Sequence, residues 1–350
     1  MKFSIIVPVY NGAKYLKNAM DSVLGQIRDG GCDLEVILVE NGSTDDSARI
    51  CDEYASGFHM ITALHRGKIG AYAARRLGME TASGRWLLFL DADDELKEGA
   101  LDALGGFIDS FGEMEAPDMI FYDYERMTLA GDVRRSFPFE SGKVYKGPEK
   151  KMFYDEMCRG DLLNPLWNKC VKKELADASL VEDTTIFLNH GEDLLQTAQL
   201  LDRAGSISYL SRVVYRYKCD NQGLSGKYHN EFLPNQKHAW EKLDEFAKKW
   251  GSDPSEYEGM INERKTLTTT IAAKSVVMSD LSRSEVLGIL TALFEDPFYR
   301  EFSKGKLPDW ASEEDVFFHE FQMTENPKKA FMKYFTVHRI KAFIKARIRK

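Results

Sequence analysis

Apolar residues in the first third of the chain form short continuous runs, separated by stretches in which they recur every three or four positions. Phe3–Val9, Leu34–Val39, Met60–Leu64, Trp86–Leu90 and Met119–Tyr124 are runs of strand length, the pattern of strands buried on both faces. Between them, Leu16, Ala19, Met20, Val23, Leu24 and Ile27 share one helical face. Ser43-Thr44-Asp45-Asp46 can cap a helix carrying Ile50 and Tyr54, and Gly70–Ala82 and Leu101–Phe111 read as helices. Strands alternating with helices of this length predict βαβ units and a mostly parallel central sheet flanked by helices. After about Ser136 the pattern becomes irregular. Asn164–Lys169 looks like a loop leading to a strand, Glu192–Ala204 is an apolar-faced helix, and Ile207–Tyr217 alternates like a strand. From Glu231 onward the spacing is helical, so the expected division is an α/β domain over 1–226 and a mainly helical extension over 227–350.

At 350 residues, with 43% hydrophobic and 29% charged positions, the chain has the composition of a globular protein with a sizeable core. The apolar stretch at Met1–Pro8 is too short for a signal peptide, and no later run is long enough to span a bilayer, which points to a cytoplasmic location. Cys32, Cys51, Cys158, Cys170 and Cys219 are scattered and form no C-x-x-C pair, so they read as reduced thiols. Charge is uneven. From Lys328 onward there are nine Lys or Arg and no Asp or Glu, which leaves −17 on the remainder of a chain whose net charge is −8. An acidic body argues against nucleic acid as a partner, and the basic tail argues for an anionic surface met by the C-terminus.

The strongest chemical signal is the end of the fourth run, where Trp86-Leu87-Leu88-Phe89-Leu90 gives way to Asp91-Ala92-Asp93-Asp94. In open α/β sheets, ligands gather beyond the carboxyl ends of the strands. Clustered carboxylates there repel one another unless a cation neutralises them, and oxygen donors suit Mg²⁺ or Mn²⁺. The alternative is an acidic turn before a helix N-terminus, where Asp is welcome in any protein.

Four blocks taken together identify a family. Ser4-Ile5-Ile6-Val7-Pro8-Val9-Tyr10-Asn11 opens the chain, and Glu35–Val39 leads into Glu40-Asn41-Gly42-Ser43-Thr44-Asp45. Gly70-Ala71-Tyr72-Ala73-Ala74-Arg75-Arg76-Leu77-Gly78 precedes the acidic strand, and Gly191-Glu192-Asp193-Leu194-Leu195 lies far downstream. Over roughly residues 2–220 this order resembles glycosyltransferase family 2, the inverting, nucleotide-sugar-dependent enzymes with the Rossmann-like GT-A fold. The resemblance implies that Asp93 ligates Mn²⁺ or Mg²⁺ bridging two phosphates, that Asp91 serves ribose or the metal with Ala92 between them, and that Asp193 beside Glu192 is the general base. It also implies a nucleotide contact from the region of Lys68. Pro8 fixes the backbone before Tyr10, whose ring can stack on a nucleobase. Glu40 and Asn41 can meet the base edge or ribose, although the family's usual pair there is Asp-Asp. An Asn can both accept from a ring N–H and donate to a carbonyl, which keeps UDP the preferred nucleotide. The same four residues, Glu40-Asn41-Gly42-Ser43, would also serve as a simple turn and cap.

Arg75 and Arg76 match a block where Arg-Asn is usual. On a helix they can pair with neighbouring acids, and they are left outside the expected site. Trp167 is either a sugar-stacking ring or a core residue, and Lys218–Lys227 has the composition of a loop that could close over a diphosphate. In the tail, Phe331, Phe335, Ile340, Phe343, Ile344 and Ile348 interleave with basic residues, the pattern of an amphipathic helix lying on anionic membrane. The expectation is therefore a metal-dependent transferase moving a sugar from a nucleotide-sugar donor to a glycan or lipid-linked acceptor in surface polysaccharide assembly. It would be cytoplasmic, with a peripheral place at the inner membrane face, and its oligomeric state is open. Two rivals remain: a nucleotidyltransferase, for which Tyr10-Asn11-Gly12-Ala13-Lys14 is a poor phosphate loop, and a non-catalytic sugar- or membrane-binding relative.

Overall fold

The computed structural model describes residues 2–27, 33–112, 115–128, 131–179, 187–218 and 228–323, with 326, 328, 329 and 331–333. The chain divides into two compact units, one of residues 1–157 and 161–220, the other of 158–160 and 221–350.

The first unit runs β1 (Phe3–Val9), α1 (Leu16–Leu24), β2 (Leu34–Asn41), α2 (Ser47–Gly57), β3 (Ile61–Arg66), α3 (Ala71–Thr81), β4 (Trp86–Phe89), β5 (Glu95–Leu96) and α4 (Ala100–Asp109). It continues with β6 (Met119–Thr128), β7 (Gly131–Arg135), β8 (Val144–Lys146), α5 (Lys151–Arg159), β9 (Lys169–Lys172), α6 (Lys173–Ser179), α7 (Glu192–Arg203) and β10 (Ser206–Lys218). One sheet joins all ten strands in the order β3-β2-β1-β4-β9-β6-β10-β5, with β7 beside β6 and β8 beside β10. Strands β3, β2, β1 and β4 are parallel, with Ile6 opposite both Ile37 and Phe89. Their continuous apolar runs follow from burial on both faces, and Ile5, Ile6, Val7, Leu38 and Leu88 are all 1% exposed or less.

The second half of the sheet departs from the expected regularity. Strand β9 lies between β4 and β6 and is antiparallel to both. An antiparallel strand begins where its parallel neighbours end, so Lys169, the first residue of β9, lies at the carboxyl edge of β4. Strands β6 and β7 form a hairpin, and β10 runs parallel to β6 with register shifts between Leu210 and Tyr215. Those shifts carry the end of β10 against β5, where Tyr215 pairs with Leu96 just after the acidic turn.

Helix α3 lies unusually close to β1. A Cβ on Gly78 would stand 2.3 Å from Ile6 Cγ2, so only glycine allows this depth. One turn earlier is Arg75, on the part of α3 nearest the carboxyl ends of the strands. Ser43–Asp46 does precede α2, but the expected cap is replaced. Asp46 makes no side-chain capping bond, while Asp45 Oδ1 accepts from Ser47 N at 3.0 Å and Oδ2 accepts from Ala13 N at 3.1 Å, tying two loops together.

The second unit is helical: α8 (Phe232–Trp250), α9 (Glu258–Val277), α10 (Arg283–Glu295), α11 (Pro297–Phe302) and α12 (Glu313–Gln322). Helix α9 is buried on nearly every side, so its Thr266, Thr268, Thr269 and Thr270 hydroxyls turn back to backbone carbonyls of the same helix. Phe331, expected on the membrane-facing stripe of the tail, is 3% exposed and sits in the core of this unit with Val276, Leu290 and Phe318. The other apolar tail residues, Phe335, Ile340, Phe343, Ile344 and Ile348, lie outside the described residues, as do 219–227 of the proposed closing loop. Cys51 and Cys170 are buried free thiols, Cys158 is also buried, and Cys32 and Cys219 lie outside the described residues. No helix among the described residues is long and apolar enough to cross a membrane.

Candidate active site

The carboxyl ends of β1, β2 and β4 present three loops that interlock through their backbones. After β1, Asn11 has a left-handed φ of 50°, its Oδ1 accepts from Thr44 N at 2.8 Å, and its own N–H donates to Ser43 Oγ at 3.0 Å. Gly12 donates to Ser47 Oγ at 2.9 Å, and a Cβ at Gly12 would meet Ala92 Cβ at 3.3 Å. The Tyr10 loop therefore rests against the acidic turn. Pro8 lies past the last β1–β4 pair, Ile6 with Phe89, where a missing N–H interrupts no rung of that ladder.

Glu40 and Asn41 are both buried, at 4% and 5% exposure, and both are engaged in building the loop. Glu40 Oε1 accepts from Ser43 N at 2.5 Å, and Asn41 Oδ1 accepts from Ile69 N at 2.8 Å. Gly42, at φ 75°, packs on the backbone of Gly67 and Lys68. The exposed Lys68 ammonium lies 5.0 Å from the centroid of the Tyr10 ring. Tyr10, Glu40, Asn41 and Lys68 thus form one neighbourhood.

The four residues of the acidic turn have separate surroundings. Asp91, Ala92 and Asp93 are half-buried, whereas Asp94 is 1% exposed. Asp94 Oδ2 accepts from the Tyr215 hydroxyl at 2.7 Å and Oδ1 from Lys218 N at 2.7 Å. The same Tyr215 oxygen accepts from Asp91 N at 3.1 Å. Burial, reinforced by the charges of Asp91 and Asp93, pushes Asp94 up to about 9, and its two hydrogen bonds shape the turn. Trp167 is 5% exposed and stacks on Tyr215 at 4.5 Å and Tyr217 at 5.2 Å. Of the two readings of Trp167, the core reading is the one its burial supports.

Glu192 and Asp193 open α7 after Gly191, whose φ is 78°. The helix N-terminus favours their charge. The start of α3 is fastened to the segment before α7: Tyr72 N donates to Leu188 O at 3.3 Å, Ala71 N to Asn189 Oδ1 at 3.1 Å, and Gln196 Nε2 to Tyr72 O at 3.3 Å. That docking carries Arg75 between the two acidic elements. Its Nη2 donates to Asp91 Oδ1 at 2.9 Å, and its Nη1 lies 3.0 Å from Asp193 Oδ1 and 3.4 Å from Glu192 Oε1. Burial raises both carboxyls of the Glu192–Asp193 pair, with Glu192 pushed up to about 7, while the Arg75 charge pulls them back down. Below them, Lys169 is fully buried and donates to the carbonyls of Leu163 and Pro165 and to Thr197 Oγ1. Its desolvation lowers its pKa well below that of an ordinary lysine.

The structure thus gathers two groups of expected residues. Pro8, Tyr10, Glu40, Asn41 and Lys68 lie at the β1–β2 edge, and Asp91, Glu192 and Asp193 lie around Arg75, with Ala92 packed towards the first group. Three contributors were missed. Arg75 was left outside the site as a residue that can pair with neighbouring acids; it does pair with acids, but they are the site's own, and its place in an otherwise small and apolar helical face was a signal. Tyr215 and Lys169 had no sequence signal beyond their strands. Among the described residues, no three His, Cys, Asp or Glu side chains gather closely enough to hold a metal alone. A hard ion held by one or two carboxylates and completed by phosphate oxygens and water needs no such cage, so the Asp91 and Asp93 oxygens fit that kind of site.

Known proteins resemble this chain in sequence and in fold. Residues 4–160 match the family model described as Glycosyl transferase family 2. The glycosyltransferase GlyA of Streptococcus pneumoniae is 26% identical over 239 residues, which is 64% of this chain and 31% of GlyA. The putative glycosyltransferase EpsH of Bacillus subtilis is 23% identical over 66% of this chain and 64% of its own length. The chain therefore spans from a third to two thirds of these relatives. Among solved structures, S. aureus TarS 1–349 in complex with UDP superposes with a TM-score of 0.61 at 16% identity, covering 97% of this chain and 92% of that one. The same protein in complex with UDP-GlcNAc gives 0.58 over the same shares. The α/β fold with a helical C-terminal part is the expected GT-A arrangement, and residues 4–160 carry the chain's similarity to glycosyl transferase family 2.

Proposed function

We propose that this protein is an inverting glycosyltransferase that moves a sugar from a nucleoside diphosphate, UDP, to a hydroxyl of a glycan or lipid-linked acceptor in bacterial surface polysaccharide assembly. One observation carries the reading: Asp91 at the end of β4 and Glu192–Asp193 at the start of α7, a hundred residues apart in sequence, converge on the single guanidinium of Arg75. A turn formed for purely structural reasons has no need of a second carboxylate pair opposite it. The UDP and UDP-GlcNAc complexes of the TarS neighbour support the choice of donor.

In this reading the Tyr10 ring offers a face to the uracil, displacing the Lys68 ammonium toward the diphosphate. Asn41, its oxygen committed to Ile69, turns its NH₂ to a base carbonyl. Asp91 and Asp93 would hold Mn²⁺ or Mg²⁺, which when bound supplies positive charge to the departing diphosphate. Asp193 accepts the proton of the acceptor hydroxyl as that oxygen attacks the anomeric carbon opposite the diphosphate. The bond to the diphosphate breaks with its electron pair, and the configuration inverts. Asp193 Oδ1 is buried 3.0 Å from Arg75 Nη1 while the side chain as a whole keeps 28% exposure, so the carboxylate is held on one side and open to an acceptor on the other.

Incubation with Mn²⁺ and a panel of UDP-, GDP- and dTDP-sugars tests the proposal. Release of UDP is expected, release of pyrophosphate would indicate a nucleotidyltransferase, and silence with every donor would leave the binding-protein rival. We propose further that the basic tail meets anionic membrane. Because Phe331 belongs to the helical core, removal of residues 334–350 is the appropriate deletion, and it should abolish sedimentation with phosphatidylglycerol vesicles.

A further inference from the structure

We infer that Arg75 is a positioning residue that holds the proton-accepting carboxylate and the donor-side Asp91 in one frame, so that it acts on the rate of transfer through Asp193. The inference rests on the assignment of Asp193 as base and adds to it a residue that the sequence reading left outside the site.

The geometry is specific. Arg75 is 4% exposed, and its two terminal nitrogens are divided between elements: Nη2 serves Asp91, and Nη1 serves Asp193 and Glu192. A planar guanidinium fixes the angle between two partners in a way that a lysine ammonium does not. The contact with Asp91 has hydrogen-bond geometry, whereas the contact with Asp193 Oδ1 is an ion pair at 3.0 Å without it. Asp193 is thus held by charge at its buried Oδ1, while the 28% exposure of the side chain leaves the carboxylate open on its other side, the arrangement a base requires. The Arg75 Nε also has no hydrogen-bond partner among the described residues, so the guanidinium retains a buried donor. Three carboxylates around one arginine leave the cluster net negative. Lys169 offsets part of that charge from below, but its ammonium is committed to two carbonyls and a hydroxyl. It therefore cannot take over the alignment.

A double-mutant cycle on the full chain tests this. UDP release from the donor that responds in the panel, and affinity for UDP with Mn²⁺ by calorimetry, are measured for the parent, Arg75→Gln, Asp193→Asn and the double variant. Arg75→Gln should lower kcat by about 100-fold, and in the Asp193→Asn background it should lower kcat by less than about 3-fold, because the partner through which it acts is already removed. Affinity for UDP should change by less than about 3-fold in Asp193→Asn, and in the Arg75 variants, which also release Asp91, by less than about 10-fold, well short of the expected loss in kcat. Arg75→Lys keeps the charge, protecting the fold, but loses the fork, and its kcat should fall by about 10-fold. Multiplicative losses in the double variant, or parent-level kcat in Arg75→Lys, would overturn the inference. Full turnover in Asp193→Asn alone would instead remove the base assignment, so the two failures are distinguishable.

Discussion

The two halves of the first unit hold their functional groups by different means. On the β1–β2 side, Tyr10, Glu40 and Asn41 sit on loops locked by backbone N–H groups bonded to Ser43, Ser47, Asp45 and one another. On the β4–α7 side, Asp91, Glu192 and Asp193 are placed by side-chain charge, through one buried arginine. Backbone locking suits a pocket for a planar, uncharged base, which needs shape. Charge placement suits chemistry in which a proton and a diphosphate move, because the same field that positions a carboxylate also sets when it accepts a proton. The first side should therefore govern affinity and the second side rate.

The sharpest way to break that comparison is at its second side. Asp193→Asn should lower kcat for transfer by on the order of 10²–10⁴, with binding of UDP unchanged by calorimetry. A loss of affinity instead of rate would merge the two halves. Next in size, Tyr10→Ala should weaken UDP by on the order of 1–3 kcal/mol while kcat at saturating donor is kept. Smaller again is the response to pH. A base whose pKa burial has raised is protonated at higher pH than a free aspartate, so kcat should fall with decreasing pH already above the ordinary aspartate range. A rate flat to pH 5 would place the base outside this pair. The mildest change is Lys68→Ala, which removes an exposed cation–π contact and should alter UDP affinity by less than about 1 kcal/mol.

The same division explains what could be read in the sequence. The β1–β4 half repeats a single rule, a strand buried on both faces followed by an amphipathic helix, and its strands appear within a residue or two of their expected ends. Its loop residues announce themselves because Pro8, Gly42 and the Asp91–Asp94 run are unusual at strand ends. The β6–β10 half mixes directions, and no local pattern tells an antiparallel β9 from a parallel one, since the four residues Lys169-Cys170-Val171-Lys172 carry no mark of strand direction. The β6–β7 hairpin has a fully exposed second strand, Gly131–Arg135, with no apolar alternation to betray it. Glu192 and Asp193 were legible as a helix start, but their meeting with Asp91 depends on the docking of Tyr72 and Ala71 against Leu188 and Asn189, a long-range contact. For the same reason Arg75 was legible as a partner of acids, but not as a partner of the acids of the site. A charge on an amphipathic helix is ordinarily solvated, and only the closeness of α3 to its neighbours shows that this one is not.

The glycine at position 78 turns that closeness into a calibration. Arg75 has a side chain of fixed length, and whether its two arms span Asp91 and Asp193 together depends on how deep the helix beneath it is seated on Ile6. Gly78 acts as a shim of zero thickness. A single methyl inserted there, buried on the opposite turn from every reacting atom, would raise the helix and stretch the bracket formed by the guanidinium. The tolerance of the chemistry is thus set by the smallest side chain in the molecule, at a place no substrate touches.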